Sequence, residues 1–459
     1  MRVRPVLVSA ALLCATSSVT GQTTQPSTPP QIGQDELDLQ AQANVVLGSG
    51  ARALGMGGAF LARADDATAA SWNPAGLSYL RLPEISFVYS GNRLNSIDVA
   101  STTRTDDERH GHNPDFFAVA YPFEFGGWSG AAQVSFQRQI AFGAERTIDE
   151  TSVDAETGER ISRPSEVRSA GGYDVIALAT GVVLRGHFRV GATVNRWFNG
   201  YHQTLDRDTV RVGTPGHTTQ TSDYDLAGWN VNLGLMWSPR EELNLGLVYK
   251  TAFTGDVALS RSRVDSLLAD TSPTTTNQAN SDLEHPVTLK IPAAVGAGVS
   301  WRPRSRMTLS ADYTRTFWSK GEIRNFFVLA RAEPNRPAPP PAISPSLPYP
   351  TLDLRQAQHD TVQLRGGVEF VFILGRLKWP VRAGAFGDRQ YVQAANGTAP
   401  QFFGLTVGTG LVLGPVLLDV AYMRETGDYN AIDTEKTRKA ISVHSSRVIG
   451  SVIYRFNRR

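Results

Sequence analysis

The sequence predicts an all-β fold, a 14-stranded antiparallel transmembrane β-barrel closed by a small N-terminal plug. Three observations carry this reading. After Leu82 the chain becomes a series of segments whose apolar residues recur with period two, at 84–93, 115–124, 126–140, 172–185, 187–198, 225–238, 242–254, 287–302, 306–318, 360–375, 378–389, 401–413, 415–426 and 442–456. The connections between them alternate between long and short, as external loops and periplasmic turns do in a membrane barrel, whereas a sandwich has no reason to alternate so. Finally, the 459 residues are 41% apolar with 42 glycines, yet contain no apolar run long enough for a membrane helix.

The chain divides into 1–21, a signal peptide; 22–43, a periplasmic leader; 44–82, the plug; and 83–459, the barrel. Arg2 and Arg4 precede an apolar stretch from Val6 to Ala15, and Val19-Thr20-Gly21 is a small-residue cleavage site. The one cysteine, Cys14, lies in this leader, so the mature chain has neither thiol nor disulfide. The leader that follows is polar and proline-rich, then acidic at Asp35-Glu36-Leu37-Asp38. A formal charge of +2 points to neither nucleic acid nor an acidic substrate.

Between Gly48 and Gly76 the chain reads GSGARALGMGGAFLARADDATAASWNPAG. Its glycines permit tight turns and close backbone approach and discourage a long helix. Small residues dominate, so the segment is expected to owe its order to the wall around it. Proline after Asn73 drives that asparagine out of the helical region and into a turn. Val45 to Ala53 matches the G-x-G-x-x-A nucleotide fingerprint, but Gly55, Gly57 and Gly58 interrupt the required helix and no βαβ unit follows.

In the barrel the alternation assigns faces. Trp229, Val231, Leu233, Leu235 and Trp237 share one face, and Asn230, Asn232 and Gly234 the other; Leu243, Leu245, Leu247 and Tyr249 oppose Asn244, Gly246 and Lys250. Aromatic rings at the ends of the apolar stripes suit the bilayer interface, which makes the apolar face the lipid face. Long connections are expected at 94–114, 141–171, 199–224, 255–286, 319–359, 390–400 and 427–441, and short turns near Phe125-Gly126, Arg185-Gly186, Ser238 to Glu241, Arg302 to Ser305, Gly375 to Leu377 and Gly414-Pro415. The aromatic-ended strand running to Phe456 closes the barrel.

Gly50 to Gly76 resembles the N-terminal hatch of the FadL-type outer-membrane transporters of long-chain fatty acids and aromatic hydrocarbons. Val287 to Lys320 resembles that family's paired central strands. Barrels of the PorV type in protein secretion carry a similar Gly-Met-Gly-Gly and Asn-Pro-Ala signature. The FadL resemblance implies outer-membrane passage of a hydrophobic small molecule through a gated hatch and out sideways through the wall. The family's motif falls on Asn73, Pro74 and Ala75, and its acidic pair on Asp65 and Asp66, which can anchor to inward arginines. A bend in the third strand would use Gly126, Gly127 and Gly130. Alternatives are a PorV-type secretion-associated barrel and a general channel. Here the external stretches 147–168 and 206–225 are strongly polar, and the most apolar one is Phe326 to Leu329 before the proline-rich Pro337 to Pro350.

No enzyme chemistry is expected: the eight histidines are scattered, without a Gly-x-Ser-x-Gly. His110-x-His112 beside Asp106, Asp107 and Glu108 reads as a solvated loop, and an inward Lys250 as a residue paired within the lumen. The expected partners are a hydrophobic small-molecule ligand and outer-membrane lipid, with no nucleic acid, metal or cofactor, on a monomer.

Overall fold

A computed structural model describes residues 48–99, 104–153, 160–210, 216–267, 274–279, 287–324, 360–389, 399–432 and 438–456. The expected signal peptide, the leader, the first residues of the plug, Phe326 to Leu329 and Pro337 to Pro350 lie outside them. Within the described residues the strands are β1 (Glu84–Val99), β2 (Arg104–Phe125), β3 (Trp128–Ala141), β4 (Ala144–Val153), β5 (Arg160–Arg185), β6 (Phe188–Phe198) and β7 (Gly200–Thr209). There follow β8 (Gly216–Arg240), β9 (Leu243–Lys250), β10 (Phe253–Leu267), β11 (Thr274–Ala279), β12 (Val287–Ile291), β13 (Ala294–Arg304) and β14 (Met307–Thr316). The last are β15 (Glu322–Arg324), β16 (Thr361–Leu374), β17 (Leu377–Arg389), β18 (Gln401–Leu413), β19 (Val416–Ile432) and β20 (Arg438–Arg455).

Fourteen of these close a ring of antiparallel neighbours, in the order β1, β2, β3, β5, β6, β8, β9, β13, β14, β16, β17, β18, β19 and β20, with β20 pairing back onto β1. Closure leaves no edge, which is what a sheet in hydrocarbon requires. Two-residue turns join the strands at one end, at Gly126-Gly127, Gly186-His187, Glu241-Glu242, Ser305-Arg306, Gly375-Arg376 and Gly414-Pro415. Positive φ at both Gly126 and Gly127 (58° and 81°) matches the twist of a two-residue hairpin.

At the other end, stretches expected as loops are paired strand. β1 and β2 stay in register as far as Val99 and Arg104, and β4 pairs with the first part of β5. The first parts of β5 and β8, together with β4, β7, β10, β11, β12 and β15, form a second sheet beyond the barrel. Two of the expected strands split where this sheet departs from the ring. The segment 242–254 breaks at Thr251-Ala252, and 287–302 breaks at Pro292-Ala293, where proline has no N–H to give the ladder.

The barrel is inside-out relative to a water-soluble protein. Trp229 (61%), Leu233 (48%), Leu247 (53%) and Val448 (51%) are exposed on its outer face, while Ser86, Gln133, Thr193, Asn232, Asp312, Glu369 and Ser451 are buried on the inner one. Exposed rings gather in two belts. Phe125, Trp128, Phe188, Trp237, Trp301, Trp379 and Tyr454 lie near the short turns, and Tyr89, Trp229, Tyr249, Tyr313 and Tyr422 lie farther along the strands. Phe188 stacks on Trp237 at 5.6 Å. Such belts mark the two bilayer interfaces.

Leu245 sits mid-stripe on the outer face and Asn244 on the inner face, where it accepts from the Ser238 hydroxyl at 2.7 Å. An arginine at the lipid midplane costs about 2–4 kcal/mol, whereas a lumen position tolerates charge. Leu245→Arg therefore lowers the yield of heat-modifiable barrel more than Asn244→Arg; equal yields would refute the face assignment. Protease added to intact cells cuts within Thr147 to Arg168 and spares Ser238 to Glu241, and the reverse pattern would invert the topology.

Candidate functional site

The segment ahead of β1 lies against the inner face of the ring. It consists of short helices at α1 (Ala51–Gly55) and α2 (Ala69–Trp72), a 3-10 helix over Pro74–Tyr79, and the turns between them. The helix expected to be cut short by glycine ends at Gly55. Phe60 meets Trp72 edge-on at 5.9 Å, and with Leu61, Leu77 and Leu80 they form an apolar cluster. The segment thus has a small core, contrary to the expectation from its small residues, but one completed by Ala120, Ala131, Ala179 and Val248 of the wall.

Glycines in the wall make room for it. Gly181, Gly191 and Gly234 sit side by side on β5, β6 and β8, and a methyl group on any of them would come within 3.0 Å of Asn73, Pro74 or Ala75. Gly246 on β9 is as close to Leu61, and the paired Gly367 and Gly384 of β16 and β17 are as close to Met56 and Gly57. Backbone packs on backbone at these points, so the contact is close without a large side chain on either side.

Polar bonds complete the seat. The Asn73 side chain donates to the Leu61 carbonyl at 2.9 Å and to the Leu235 carbonyl of β8 at 3.2 Å, and accepts from the Ala75 N–H at 3.1 Å. Pro74 opens the 3-10 helix, and Ala75 is fully buried. The Asp312 carboxylate of β14 accepts from the N–H groups of Phe60 and Leu61 at 2.6 and 2.8 Å. Glu84 accepts from the Ala67 N–H at 2.9 Å and from Arg455 at 2.7 Å, so one carboxylate ties the segment to the β1–β20 closure.

The acidic pair does not reach inward arginines of the wall. Asp65 pairs with two arginines of the segment itself, Arg52 at 2.6 Å and Arg63, and these continue to Glu369 of β16 at 3.4 and 3.5 Å. Arg382 of β17 then joins Glu369 at 2.8 Å to Asp419 of β19 at 2.6 Å. Burial opposes ionisation of Asp65, but Arg52 and Arg63 outweigh it and hold the carboxyl below the usual carboxylate range. Asp66 mainly shapes the chain, accepting from the Thr68 N–H at 2.9 Å and hydroxyl at 2.6 Å. The acids and arginines alternate, so each buried charge has an opposite neighbour, without which burial would cost several kcal/mol.

Toward the external end the inner face turns apolar. Ile140, Phe142, Tyr173, Val175, Trp197, Tyr201, Tyr224, Leu226, Phe253 and Ile291 belong to one buried cluster. Phe142 meets Tyr173 at 4.9 Å and Tyr201 at 5.3 Å, both edge-on, and Trp197 meets Phe253 at 5.0 Å. Beside it the wall has a seam. β2 pairs with β3 only from Phe116–Gln137 to Phe125–Trp128. Beyond that, among the described residues, β2 is bonded to β1 and β4 to β5, but not to each other. One side chain bridges the seam: Arg138, held by its β5 ladder partner Asp174 at 2.8 and 2.9 Å, donates to Asn113 of β2 at 2.9 Å. Gly126 and Gly127 form the β2–β3 turn, and pairing runs through Gly130 without a break. The register shift in β3 comes instead between Arg138 and Ile140.

At the short-turn end, a polar recess of about 470 Å³ opens between the segment and the wall, lined by Arg63, Asp65, Tyr79, Arg189, Asn244 and Arg302 among others. Arg189 lies 4.1 Å over the Tyr79 ring. Lys250 is on the inward face, and no group of three or more metal-ligating side chains occurs among the described residues. The glycine seat was missed in the sequence, where each glycine reads as an isolated strand residue.

Gly191→Val puts a branched side chain where Pro74 and Ala75 pack, an overpacking that costs about 1–3 kcal/mol. The variant remains a heat-modifiable barrel, but trypsin cuts its N-terminal segment at Arg52 or Arg63 several-fold faster than in the wild type. Equal cutting rates would show that the glycine is not what seats the segment.

The barrel is similar in structure to a FadL homologue of Pseudomonas aeruginosa (TM-score 0.57, 12% identity, covering 90% of this chain and 99% of that one). It is also similar to the P. putida toluene transporter TodX (TM-score 0.57, 14% identity, covering 90% of this chain and 100% of that one). A third is the Ralstonia pickettii toluene transporter TbuX (TM-score 0.51, 16% identity, again 90% and 100%). At these identities the likeness is one of fold, that of a closed antiparallel barrel of the outer-membrane kind. No curated protein matches the chain in sequence. A protein-family model described as BamG matches residues 49–331, from the N-terminal segment through the central strands, and since that is more than half of the sequence the chain belongs to the BamG family.

Proposed function

We propose that the barrel carries hydrophobic small molecules, long-chain fatty acids or hydrocarbons, across the outer membrane. The N-terminal segment acts as the hatch that gates passage, and the ligand leaves sideways through the wall. The observation that carries this reading is the aromatic cluster on the inner face, beside the seam between β2 and β3. An apolar molecule entering from outside meets matching side chains there, and beyond Phe116–Gln137 the seam is the part of the wall where parting β2 from β3 breaks the Arg138–Asn113 bond and no ladder. The opposite route is unfavourable, because the recess at the short-turn end is lined by charged and polar groups. Two barrels of similar fold are toluene transporters, which agrees with a small apolar cargo.

The hatch suits a gate because its seat is made of glycine contacts, hydrogen bonds and an ion-pair chain rather than a large apolar core. Such a seat has alternative pairings at modest cost. Asn73, which bonds to β8, and Pro74, which packs on the glycine row, are the pivot; Ala75, Asp65 and Asp66 hold the neighbouring turns.

The polar second sheet favours a second reading, a PorV-type secretion-associated barrel whose external hairpins meet proteins rather than apolar solutes. Mass spectrometry of material extracted from the purified barrel separates the two. An apolar ligand supports transport, whereas co-purified secretion proteins without such a ligand support the second reading.

For the gate, Asn73→Ala combined with Pro74→Gly leaves barrel abundance and heat-modifiability normal and changes uptake of a hydrophobic tracer several-fold in the same cells. Unchanged uptake by a well-folded variant would remove Asn73 and Pro74 from the mechanism.

A further inference from the structure

The polar recess at the short-turn end plays no part in carrying an apolar cargo, yet an ordered polar network lines it. Its volume of about 470 Å³ is that of a small-molecule site. Arg63 and Asp65 of the N-terminal segment stand on one side, and Arg189 of β6, Asn244 of β9, Ser300 of β13 and Thr308 of β14 on the other. Asn244 and Ser300 lie directly opposite each other in the ladder. The neighbouring outward residues Phe188 and Trp301 are exposed to the bilayer, so the recess is inside the barrel mouth, out of reach of lipid. It opens on the periplasmic side, where short turns lie.

The lining side chains are held in place. Arg189 lies 4.1 Å over the Tyr79 ring and donates from Nη1 to the Ser238 hydroxyl at 3.1 Å. That hydroxyl also meets the Tyr79 hydroxyl at 3.0 Å and donates to the Asn244 side-chain oxygen at 2.7 Å. The Asn244 oxygen is thus occupied, and its NH2 group is left to donate. Arg302 of β13 is held by the Glu241 carbonyl at 2.9 Å, and buried Ser300 and Thr308 add hydroxyls.

Donors therefore outnumber acceptors in the recess. Among the described residues neither Arg189 nor Arg302 is ion-paired, whereas Arg52, Arg63, Arg138, Arg382, Arg447 and Arg455 each grip a carboxylate. The acids of the lining do not answer them. Asp65 is committed to Arg52 and Arg63, and Glu241 and Glu242 are exposed on the turn at the rim.

We propose that the recess binds a small free oxyanion, a carboxylate or a phosphate, from the periplasm. The guanidinium groups of Arg189 and Arg302 take its oxygens, and Asn244, Ser300 and Thr308 donate beside them. Because Arg63 and Asp65 form the opposite side, the bound anion bridges segment and wall and favours the seated arrangement. The binding is independent of the transported cargo; only its effect on passage rests on the gating reading.

The test titrates the full-length barrel in detergent micelles with succinate and with inorganic phosphate, read by isothermal titration calorimetry. Wild type binds at least one of them saturably, and more weakly as salt rises. Succinate alone identifies a carboxylate site, and phosphate alone a phosphate site. Arg189→Gln and Arg302→Gln each lower affinity about tenfold or more, while heat-modifiability stays normal. Arg376→Gln, which removes an exposed arginine from another short turn, has no effect. A wild type that binds neither probe saturably overturns the proposal. So does unchanged affinity in both recess variants, or an equal loss in Arg376→Gln, which would assign the binding to the charge of the whole rim. Saturating ligand also slows trypsin cutting at Arg52, which does not line the recess. Unchanged cutting with intact binding overturns the bridging of segment and wall, whatever the barrel transports.

Discussion

A backbone N–H or C=O facing hydrocarbon without a partner costs several kcal/mol, so a sheet crosses a membrane only by closing on itself. Here that constraint is met where Glu84 to Val99 of β1 runs beside Ala440 to Arg455 of β20. Closure dictates the rest. It sends one set of side chains to lipid and encloses the other in a lumen, which fourteen strands make too wide for their own side chains to fill. The N-terminal segment occupies that space, and Glu84 couples it to the closure by holding both the Ala67 N–H and Arg455.

The seat of the segment explains why it combines close packing with few large side chains. Glycines in register on neighbouring strands let backbone approach backbone, and carboxylates of the wall receive the amides this leaves facing it, as Asp312 does for Phe60 and Leu61. The chain of charges from Asp65 through Arg52 and Arg63 to Glu369, Arg382 and Asp419 crosses from segment to wall. A buried ion-pair chain of this kind contributes little net stability over apolar packing.

The ring and its extension obey different rules. In the ring each described strand keeps the same two neighbours, whereas beyond it the strands are free to change partners. β8 does so, pairing with β9 along its later residues and with β7 and β10 along its earlier ones. The seam between β2 and β3 lies at this transition. There the Arg138–Asn113 side-chain bond stands where ladder bonds would be, next to the aromatic residues of the inner face.

Period-two alternation was enough, in the sequence alone, to determine the strand count, which residues face lipid and which end carries the short turns. A one-residue error would put Asn230 and Asn232 in hydrocarbon. The external hairpins were not legible as strands, because stretches such as 144–170 are polar on both faces and strands in water need no apolar period. Only the tertiary structure decided which inward residues meet. Strand register is a property of pairs, so nothing in the sequence aligns Gly181 with Gly191 and Gly234, or directs Asp65 to Arg52 and Arg63 rather than to the wall.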